Sequence, residues 1–554
     1  MASIRDTLRT AIGEARDRAI AAGELRLPAD ATLPPIGIER PSRPEHGDFA
    51  TNAAMQLAPL ARAAPLAIAE TLRTQLGTPA GVLTTSVAPP GFINLNLDPA
   101  WVAAQVGVIR EEGAAYGAVR VAEPHRINVE FVSANPTGPL TVGNARGAFV
   151  GDLLSRVLEA VGHDVRREYY FNDFNAQVRN LGLSVAARHE GTELPEDGYH
   201  GDYVSELAAQ VPPEVWEAAT AEGADAGEVL GRWASERIRD GIEASLRALG
   251  VRFDVWKSEG SLHAEGWVPR ALDELRGKGD VYDGDGATWF RAEKYGDEKD
   301  RVVIRSNGQP TYFASDIGYL AEKFSRGFDE LIYLWGEDHH GTVARNKAAA
   351  QALGFKPDSV HYLLMAWVRF VRDGEEVGMS KRAGEFVSLD ELLAEIGPDA
   401  ARWFFGSRAP ATGIDFDIEL AKRQSAENPV YYVQYAHARA SSILRNAAQA
   451  DVSPDASEAG TLLHHRAEQT LIRHLLDLPD VVAGAAERRE THDLTRYLLE
   501  VAQLFSQFYR DCRVLPDDST EIPLSRARLA LTDAVRQVLA NGFALLGISA
   551  PESM

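Results

Sequence analysis

The chain has 554 residues, of which 45% are hydrophobic, and it carries a formal net charge of −23. At roughly 100–200 residues per domain, this length predicts about three to five domains, each with its own core. The single cysteine, Cys512, excludes a disulfide framework and a cysteine-rich zinc cluster. Because no apolar run approaches the ~20 residues needed to cross a bilayer, and the N-terminal helical pattern lacks the apolar core of a signal peptide, we expect a soluble, cytoplasmic protein.

The negative charge is spread unevenly along the chain. Residues 191–300 carry −13, whereas residues 1–120 carry only −1 and residues 421–554 only −3. The total charge argues against a polyanionic partner, since nucleic-acid affinity depends largely on Lys and Arg. The two nearly neutral ends can still present a basic face, and the acidic block by itself is typical of a solvated surface.

The first part of the chain predicts a small α+β domain over residues 1–118. Helical patterns alternate with Pro-rich turns as far as residue 75, and residues 82–97 have the pattern of two strands around a Pro-Pro-Gly turn. A buried strand is predicted at Ile127–Val132, followed by a Pro/Gly turn, an amphipathic helix ending at Gly162, and a strand at Val165–Phe171. This order is typical of the opening of a doubly wound nucleotide-binding sheet.

Residues 119–396 are therefore predicted to form a Rossmann-type parallel-sheet domain. Within it, residues 185–300 are acidic and rich in Gly and Asp, which favours an irregular insertion outside the sheet. The strand–helix pattern resumes with RVVIRS and YFAS, a helix from about Asp316, the strand DELIYLWG, a helix to about Leu353, and a hairpin turning at Asp373-Gly374. Helical periodicity over residues 397–554 completes an α/β architecture with a C-terminal all-α bundle.

The turn after the first parallel strand, residues 135–144, lies where open α/β sheets bind ligands, and the helix N-terminus that follows favours phosphate. The segment VEFVSANPTGPLTVGNARGAFVGD resembles the first signature of class I aminoacyl-tRNA synthetases, in its arginyl form. In that family the turn ends His-X-Gly-His and both imidazoles meet the ATP phosphates. Here Thr141 and Asn144 replace the two histidines and can still donate hydrogen bonds. The resemblance implies that both are catalytic and that Pro139, Gly143 and Asn144 bind ATP.

A second motif, residues 377–384, resembles the Lys-Met-Ser-Lys loop of the same family. Its first Lys is Gly378 here, and its second, Lys381, is present as a point charge for phosphate. The resemblance implies that Lys381 is catalytic and binds ATP together with Met379, Ser380 and Gly336. Alone, this motif is common by chance and favours an exposed basic loop; two signatures in the right order reverse that preference.

Polar residues at the predicted strand ends suggest a guanidinium pocket. Two carboxylates fit a planar guanidinium through bidentate bonds and reject an ammonium group, and Tyr312 and Asp316 share one helix face. The resemblance implies that substrate arginine is bound by Glu130, Ser133, Asn135, Tyr312, Asp316 and Asp338.

Other interpretations of these residues remain. Asp316 could simply cap its helix. The segment WGEDHHGTVAR resembles the family's stretch beside the ribose and amino-acid sites, which makes Glu337 and His340 further candidate contacts. His339 and His340 are adjacent without a further ligand set, so we expect no dedicated metal site.

Two segments resemble the RNA-facing parts of the family. RPSRPEHGDFATNAAMQLA is similar to its additional N-terminal domain, which contacts the tRNA elbow, and ENPVYYVQYAHARASSILR to the start of its anticodon-binding bundle. Aromatic and Arg side chains can stack on unpaired bases, so Tyr432 and Arg439 are predicted tRNA contacts. Tyr431 and Tyr435, four residues apart, are predicted to pack in the bundle core.

The resemblance implies an arginine–tRNA ligase that uses ATP with Mg²⁺ and requires bound tRNA(Arg) for activation, and we expect a monomer without a membrane partner. Two alternatives remain. The replaced histidines and the missing first Lys are also compatible with a non-catalytic tRNA-binding paralogue. A synthetase for another amino acid is the second alternative.

Overall fold

The structure is a computed structural model that describes residues 3–28, 30–376, 388–515 and 522–554. The elements of its N-terminal part are α1 (Ile4–Ala21), β1 (Phe49–Thr51), α2 (Ala53–Ala61), α3 (Pro65–Leu76), β2 (Val82–Ala88), β3 (Phe92–Leu97) and α4 (Pro99–Glu112). The strands form an antiparallel sheet in the order β1-β3-β2. The predicted α+β character and the two strands around the Pro-Pro-Gly turn are confirmed.

The middle of the chain contains the large parallel sheet and the helices around it. Its elements are β4 (Arg126–Glu130), α5 (Val142–Ala160), β5 (Asp164–Phe171), α6 (Ala176–Glu190), α7 (Asp202–Ala209), α8 (Pro213–Thr220), α9 (Ala226–Ala248), β6 (Val255–Ser258), α10 (Glu259–Ala264), α11 (Trp267–Gly277), β7 (Val281–Gly284), β8 (Ala287–Phe290), β9 (Arg301–Ile304), α12 (Tyr312–Ser325), β10 (Glu330–Gly336), α13 (His340–Leu353), β11 (Val360–Met365), β12 (Val368–Arg372) and β13 (Glu375–Glu376).

The sheet has the strand order β11-β10-β4-β5-β6, and all neighbouring strands run parallel. Its central strand, β4, is covered on both faces: Ile127 and Val129 on one face and Asn128 and Glu130 on the other are at most 3% exposed. The chain runs outward from β4 in one direction through β5 and β6, and later in the other through β10 and β11. The order therefore reverses between β4 and β10, and ligands of open α/β sheets bind at the carboxyl ends of such a pair.

The prediction of an irregular insertion over residues 185–300 is wrong. Most of this stretch is helical, from α6 to α11, and β6 adds an edge strand to the main sheet beside β5. This short strand was missed because its residues are all half-buried and show no alternation. The predicted strand RVVIRS corresponds to β9, but it belongs to a separate antiparallel sheet with β7 and β8.

The predicted strand YFAS is instead the first turn of α12. The Thr311 side chain accepts a hydrogen bond from the backbone N–H of Ala314 and so caps the helix, which begins at Tyr312 rather than at Asp316. The predicted hairpin is confirmed: Asp373 and Gly374, both with positive φ, join antiparallel β12 and β13.

The C-terminal part is largely helical, as predicted. Its elements are α14 (Leu389–Ile396), α15 (Pro398–Gly406), β14 (Ile414–Asp417), α16 (Ile418–Lys422), α17 (Pro429–Gln449), α18 (Ala459–Leu462), α19 (Arg466–Leu475), α20 (Leu478–Arg488), α21 (His492–Asp511) and α22 (Ile522–Leu546). The sequence analysis missed one strand of this part, β14, which pairs in parallel with β12. Over the residues that the structure describes, no helix is both long and apolar enough to span a membrane.

Candidate active site

The turn that follows β4 has a strained backbone. Val132 and Ser133 adopt φ angles of 68° and 39°, which cost L-residues of this kind roughly 1–3 kcal/mol each. The Ser133 hydroxyl accepts a hydrogen bond from the backbone N–H of Tyr170 (3.0 Å) and donates one to Glu130 Oε1 (3.2 Å). These bonds hold the turn at the carboxyl ends of β4 and β5, where a ligand would meet it.

The N-terminus of α5 opens into the same crevice. Asn144 Oδ1 accepts hydrogen bonds from the backbone N–H and the hydroxyl of Thr141, both at 3.1 Å. Thr141 is therefore committed to capping the helix, and the amide nitrogen of Asn144 is the side-chain donor left for an anion. Gly143 is exposed, and a Cβ built there would meet only the Thr141 hydroxyl oxygen, at an ordinary 3.5 Å, so the protein itself leaves open space at this position.

The second signature, residues 377–384, falls in a stretch, 377–387, that lies outside the described residues, so Gly378, Met379, Ser380 and Lys381 are not located here. The residues that follow it are described. Ser388 forms a bridge with Thr141, and the backbone N–H of Leu389 donates to Leu140 O at 3.0 Å. The described chain therefore resumes, at Ser388, directly beside the first signature.

Glu130, at the end of β4, forms the floor of the crevice. Its carboxylate is buried, and its Oε2 lies 2.7 Å from Nζ of Lys323 on α12, a lysine that is itself 0% exposed. Burial raises the pKa of Glu130, and Lys323 offsets this only in part. A second buried carboxylate, Glu168 of β5, is bound by Arg326 at 2.7 Å and lies 4.0 Å from Lys323.

Asp316 lies in the first turns of α12, on the side of the crevice. Burial raises its pKa to about 7; Arg345 works against this shift, and the facing carboxylates of Glu259 and Glu130 add to it. Tyr312, one turn earlier, is 64% exposed at the rim. The structure therefore brings Glu130, Ser133 and Asp316 together in this crevice, and their binding of arginine stays a prediction.

The remaining predicted arginine contacts are exposed around this pocket. Asn135 donates a hydrogen bond to Gln177 Oε1 at 2.8 Å. Asp338 follows β10 and lies 3.6 Å from His339. A Cβ at Gly336 would lie 2.3 Å from Asp338 Oδ1, so a larger residue at position 336 would displace the exposed Asp338 side chain.

Sequence reasoning missed several residues of the pocket. Lys323 follows Asp316 by seven residues, which is about two helical turns. The sequence could therefore have predicted that both side chains lie on the same face of α12. Glu259 could not be found, because it lies in the stretch interpreted as an insertion. Four tyrosines lie around the same carboxylates, and burial raises the pKa of each of them: Tyr170, Tyr319, Tyr333 and Tyr362.

A second cavity, of about 270 Å³, lies between α17 and α21 of the helical bundle. The Arg439 guanidinium lies over the Tyr509 ring (4.1 Å) and near the Tyr435 ring (6.0 Å). The Tyr432 hydroxyl is 3.1 Å from that of Ser506. The prediction that Tyr435 packs in the core is wrong: it is 45% exposed and lines this cavity together with Tyr431 on the same face of α17.

The parallel sheet, the crevice at its switch point and the first signature at the edge of that crevice define a class I aminoacyl-tRNA synthetase. Residues 106–194 and 223–403 match the family model for the class I (R) tRNA synthetase catalytic domain. Residues 2–97 match the arginyl tRNA synthetase N-terminal domain, and residues 433–554 match the DALR anticodon-binding domain.

Similar proteins cover the whole chain. The arginine–tRNA ligase of Heliobacterium modesticaldum is 44% identical over 100% of this chain and 99% of its own length, and that of Moorella thermoacetica is 46% identical over 99% and 98%. The structure of Thermus thermophilus arginyl-tRNA synthetase matches with a TM-score of 0.79 and 25% identity over both full chains. The chain belongs to the arginyl-tRNA synthetase family.

Proposed function

We propose that this chain, an arginine–tRNA ligase, forms arginyl-adenylate in the crevice between β4 and β10. The arginine carboxylate attacks the α-phosphate of ATP and pyrophosphate leaves; the arginyl group then passes to the 2′-OH of the terminal adenosine of tRNA(Arg). The observation that carries the proposal is the buried carboxylate pocket of Glu130 and Asp316 beside a helix N-terminus, in a chain at least 44% identical to two arginine–tRNA ligases over nearly its whole length.

The arginine side chain enters with its guanidinium toward Asp316 and Glu130. Guanidinium presents five donors in a planar fork, which matches carboxylates held in fixed positions. Tyr312 at the rim covers the aliphatic part, while Ser133, Asn135 and Asp338 orient the amino and carboxylate groups. The protein contributes positioning rather than a covalent nucleophile.

ATP lies along the N-terminus of α5, with its phosphates at Gly143 and Asn144. Pro139, Thr141 and Gly336 shape this side of the crevice, and Met379, Ser380 and Lys381 approach from the second signature. Mg²⁺ enters with ATP as part of the substrate, because magnesium usually binds through phosphates and few protein ligands. Fixed donors aimed at developing phosphate charge lower the barrier.

Replacing Lys381 with Ala is expected to lower the rate of arginyl-adenylate formation by on the order of 10²–10³, the typical effect of removing one preorganised donor. Arg382→Ala, the neighbouring basic residue, is the matched control and should retain most activity. Steady-state pyrophosphate exchange measures the rate, and a filter assay measures tRNA binding. Loss of tRNA binding without loss of exchange would contradict the assigned role.

The three parts of the chain have separate tasks in this proposal. Residues 1–118 contact the tRNA elbow, residues 119–396 carry out the chemistry, and residues 397–554 bind the anticodon. In the last part, the cavity between α17 and α21 offers Tyr432 and Arg439 to an unpaired base. Base–aromatic stacking and an Arg over aromatic rings are what such a site requires.

Arg439→Ala is expected to raise the KM for tRNA by roughly 5- to 150-fold, because stacking contributes about 1–3 kcal/mol per base. The KM for arginine should remain unchanged. Arg445→Ala is the matched control, since Arg445 is an exposed arginine of the same helix, bonded to Glu552 O rather than to the cavity. Equal effects of both substitutions on tRNA KM would contradict a specific base site.

Arginine-dependent ATP–pyrophosphate exchange, with and without tRNA, tests the function as a whole. We expect exchange with arginine in the presence of tRNA(Arg). Absence of exchange under that condition would instead support a non-catalytic tRNA-binding paralogue, and exchange with lysine or glutamine would contradict the specificity. Size-exclusion chromatography tests the proposed monomer, and cell fractionation the proposed cytoplasmic location.

A further inference from the structure

Arg146 is a buried cation of α5 that the proposed contacts do not use. Its side chain is 1% exposed; Nη1 donates to Ala366 O and Nη2 to Ala409 O, both at 2.8 Å, and Nε forms no hydrogen bond. Both acceptors are uncharged carbonyl groups. Burial lowers the pKa of Arg146 to about 10, so the guanidinium still keeps its proton and its charge at neutral pH.

Arg146 differs in this respect from the other buried basic side chains of the described chain. Lys323, 0% exposed, lies 2.7 Å from Glu130, and Arg402, 3% exposed, lies 2.8 Å from Asp152. Among the residues that the structure describes, no carboxylate pairs with Arg146, and no charged side chain offsets the effect of burial on its pKa. Because burying a charge without a counterion is costly, such a cation favours an anionic ligand nearby.

The position of Arg146 places its charge beneath the proposed phosphate site. Gly143, a proposed phosphate contact, precedes Arg146 by three residues, and residues three apart are neighbours on a helix surface. Helical side chains lean toward the N-terminus of their helix, which here opens into the crevice. Ala366 directly follows β11, whose last residue, Met365, is paired with Gly336 at the carboxyl end of β10. The guanidinium therefore lies on the crevice side of the sheet, at a distance on the order of 10 Å from bound phosphates by the dimensions of a helix.

The two hydrogen bonds keep this charge in place. Ala366 lies between β11 and β12, and Ala409 lies in the loop before β14, so the guanidinium is held between two separate segments. A cation that is fixed before ATP enters needs no rearrangement when the phosphates arrive. Its field is also little screened, because the side chain is shielded from water and salt.

We propose that Arg146 is a positioning residue for ATP, whose buried, unpaired charge attracts the phosphates to the N-terminus of α5 without touching them. This inference deepens the proposed function and rests on it. Thr141 and Asn144 can donate hydrogen bonds to phosphate but carry no positive charge. Arg146 supplies that charge from within the helix that bears both residues.

Arg146→Gln keeps a donor amide but removes the charge. It is expected to raise the KM for ATP in pyrophosphate exchange by roughly 5- to 50-fold, as a unit charge about 10 Å away predicts at an effective dielectric constant of about 20. The KM for arginine should not change. Arg146→Lys keeps the charge and should hold the KM for ATP within a factor of about three of wild type. Arg156→Gln is the matched control, because Arg156 lies on the same helix and is already paired with Asp152 at 2.8 Å.

Inhibition by adenosine, which has no phosphates, separates the effect of the charge from the shape of the crevice. Its inhibition constant against ATP should be the same in wild type and in Arg146→Gln, which also shows that the variant is folded. A wild-type KM for ATP in Arg146→Gln would overturn the proposal. Equal weakening of ATP and adenosine would overturn it too, because the residue would then only shape the crevice wall, as would an Arg146→Lys enzyme as impaired as Arg146→Gln. Absence of arginine-dependent exchange in the wild-type enzyme with tRNA(Arg) would instead contradict the proposed function itself.

Discussion

Asp316→Asn is expected to lower kcat/KM for arginine by roughly 30- to 4,000-fold, since truncating one partner of a buried charge pair costs about 2–5 kcal/mol. Asparagine keeps the shape of the side chain but loses the charge, and its amide nitrogen is a donor that would face the donors of guanidinium. Asp316 lies in the first turns of α12, directly after Ser315 and opposite Glu259 and Glu130.

Steady-state aminoacylation with varied arginine measures this effect, and the KM for ATP serves as the internal reference. Asp358→Asn is the matched control, because Asp358 is exposed in the turn before β11, away from the crevice. An Asp316→Asn enzyme whose kcat/KM for arginine stayed within a factor of about three of wild type would show that guanidinium is bound elsewhere, since that factor corresponds to well under 1.4 kcal/mol.

Lys323→Met is expected to lower the free energy of unfolding of the domain that contains α12 by about 3–5 kcal/mol. Methionine fills a similar volume but leaves Glu130 buried without its cation, and it removes the positive charge that lies 4.2 Å from the Tyr333 ring centre and 4.5 Å from that of Tyr319. Removing one member of a buried ion pair lowers stability far more than removing both members, because one uncompensated charge remains buried.

Urea titration followed by tryptophan fluorescence measures the change. The double variant Lys323→Met/Glu130→Gln should recover much of the lost stability, and the surface substitution Lys356→Met should change it by less than about 0.5 kcal/mol. If the single and double variants were equally destabilised, packing around the lysine stem rather than the ion pair would be responsible.

Local patterns were sufficient for most elements of the fold. The hairpin at Asp373-Gly374, the strand–turn–helix around residues 127–161 and the helical C-terminal part follow from periodicity and turn chemistry within about 20 residues. Local patterns were insufficient where an element is short or depends on distant partners. Strand β6 has four residues and is a sheet strand only because β5 lies beside it.

For the site, the sequence by itself determined the family, and it pointed to both signature segments and to the candidate residues Glu130, Ser133 and Asp316, because each of these lies in a motif that is contiguous in the chain. Only the tertiary structure decided which carboxylates carry cations. Lys323 bonds to Glu130 across 193 residues of sequence, and Glu259 reaches the same crevice from a helix that no motif marks. A carboxyl group's charge is set by the dielectric and the cations around it, and both depend on residues that only folding brings within a few ångströms.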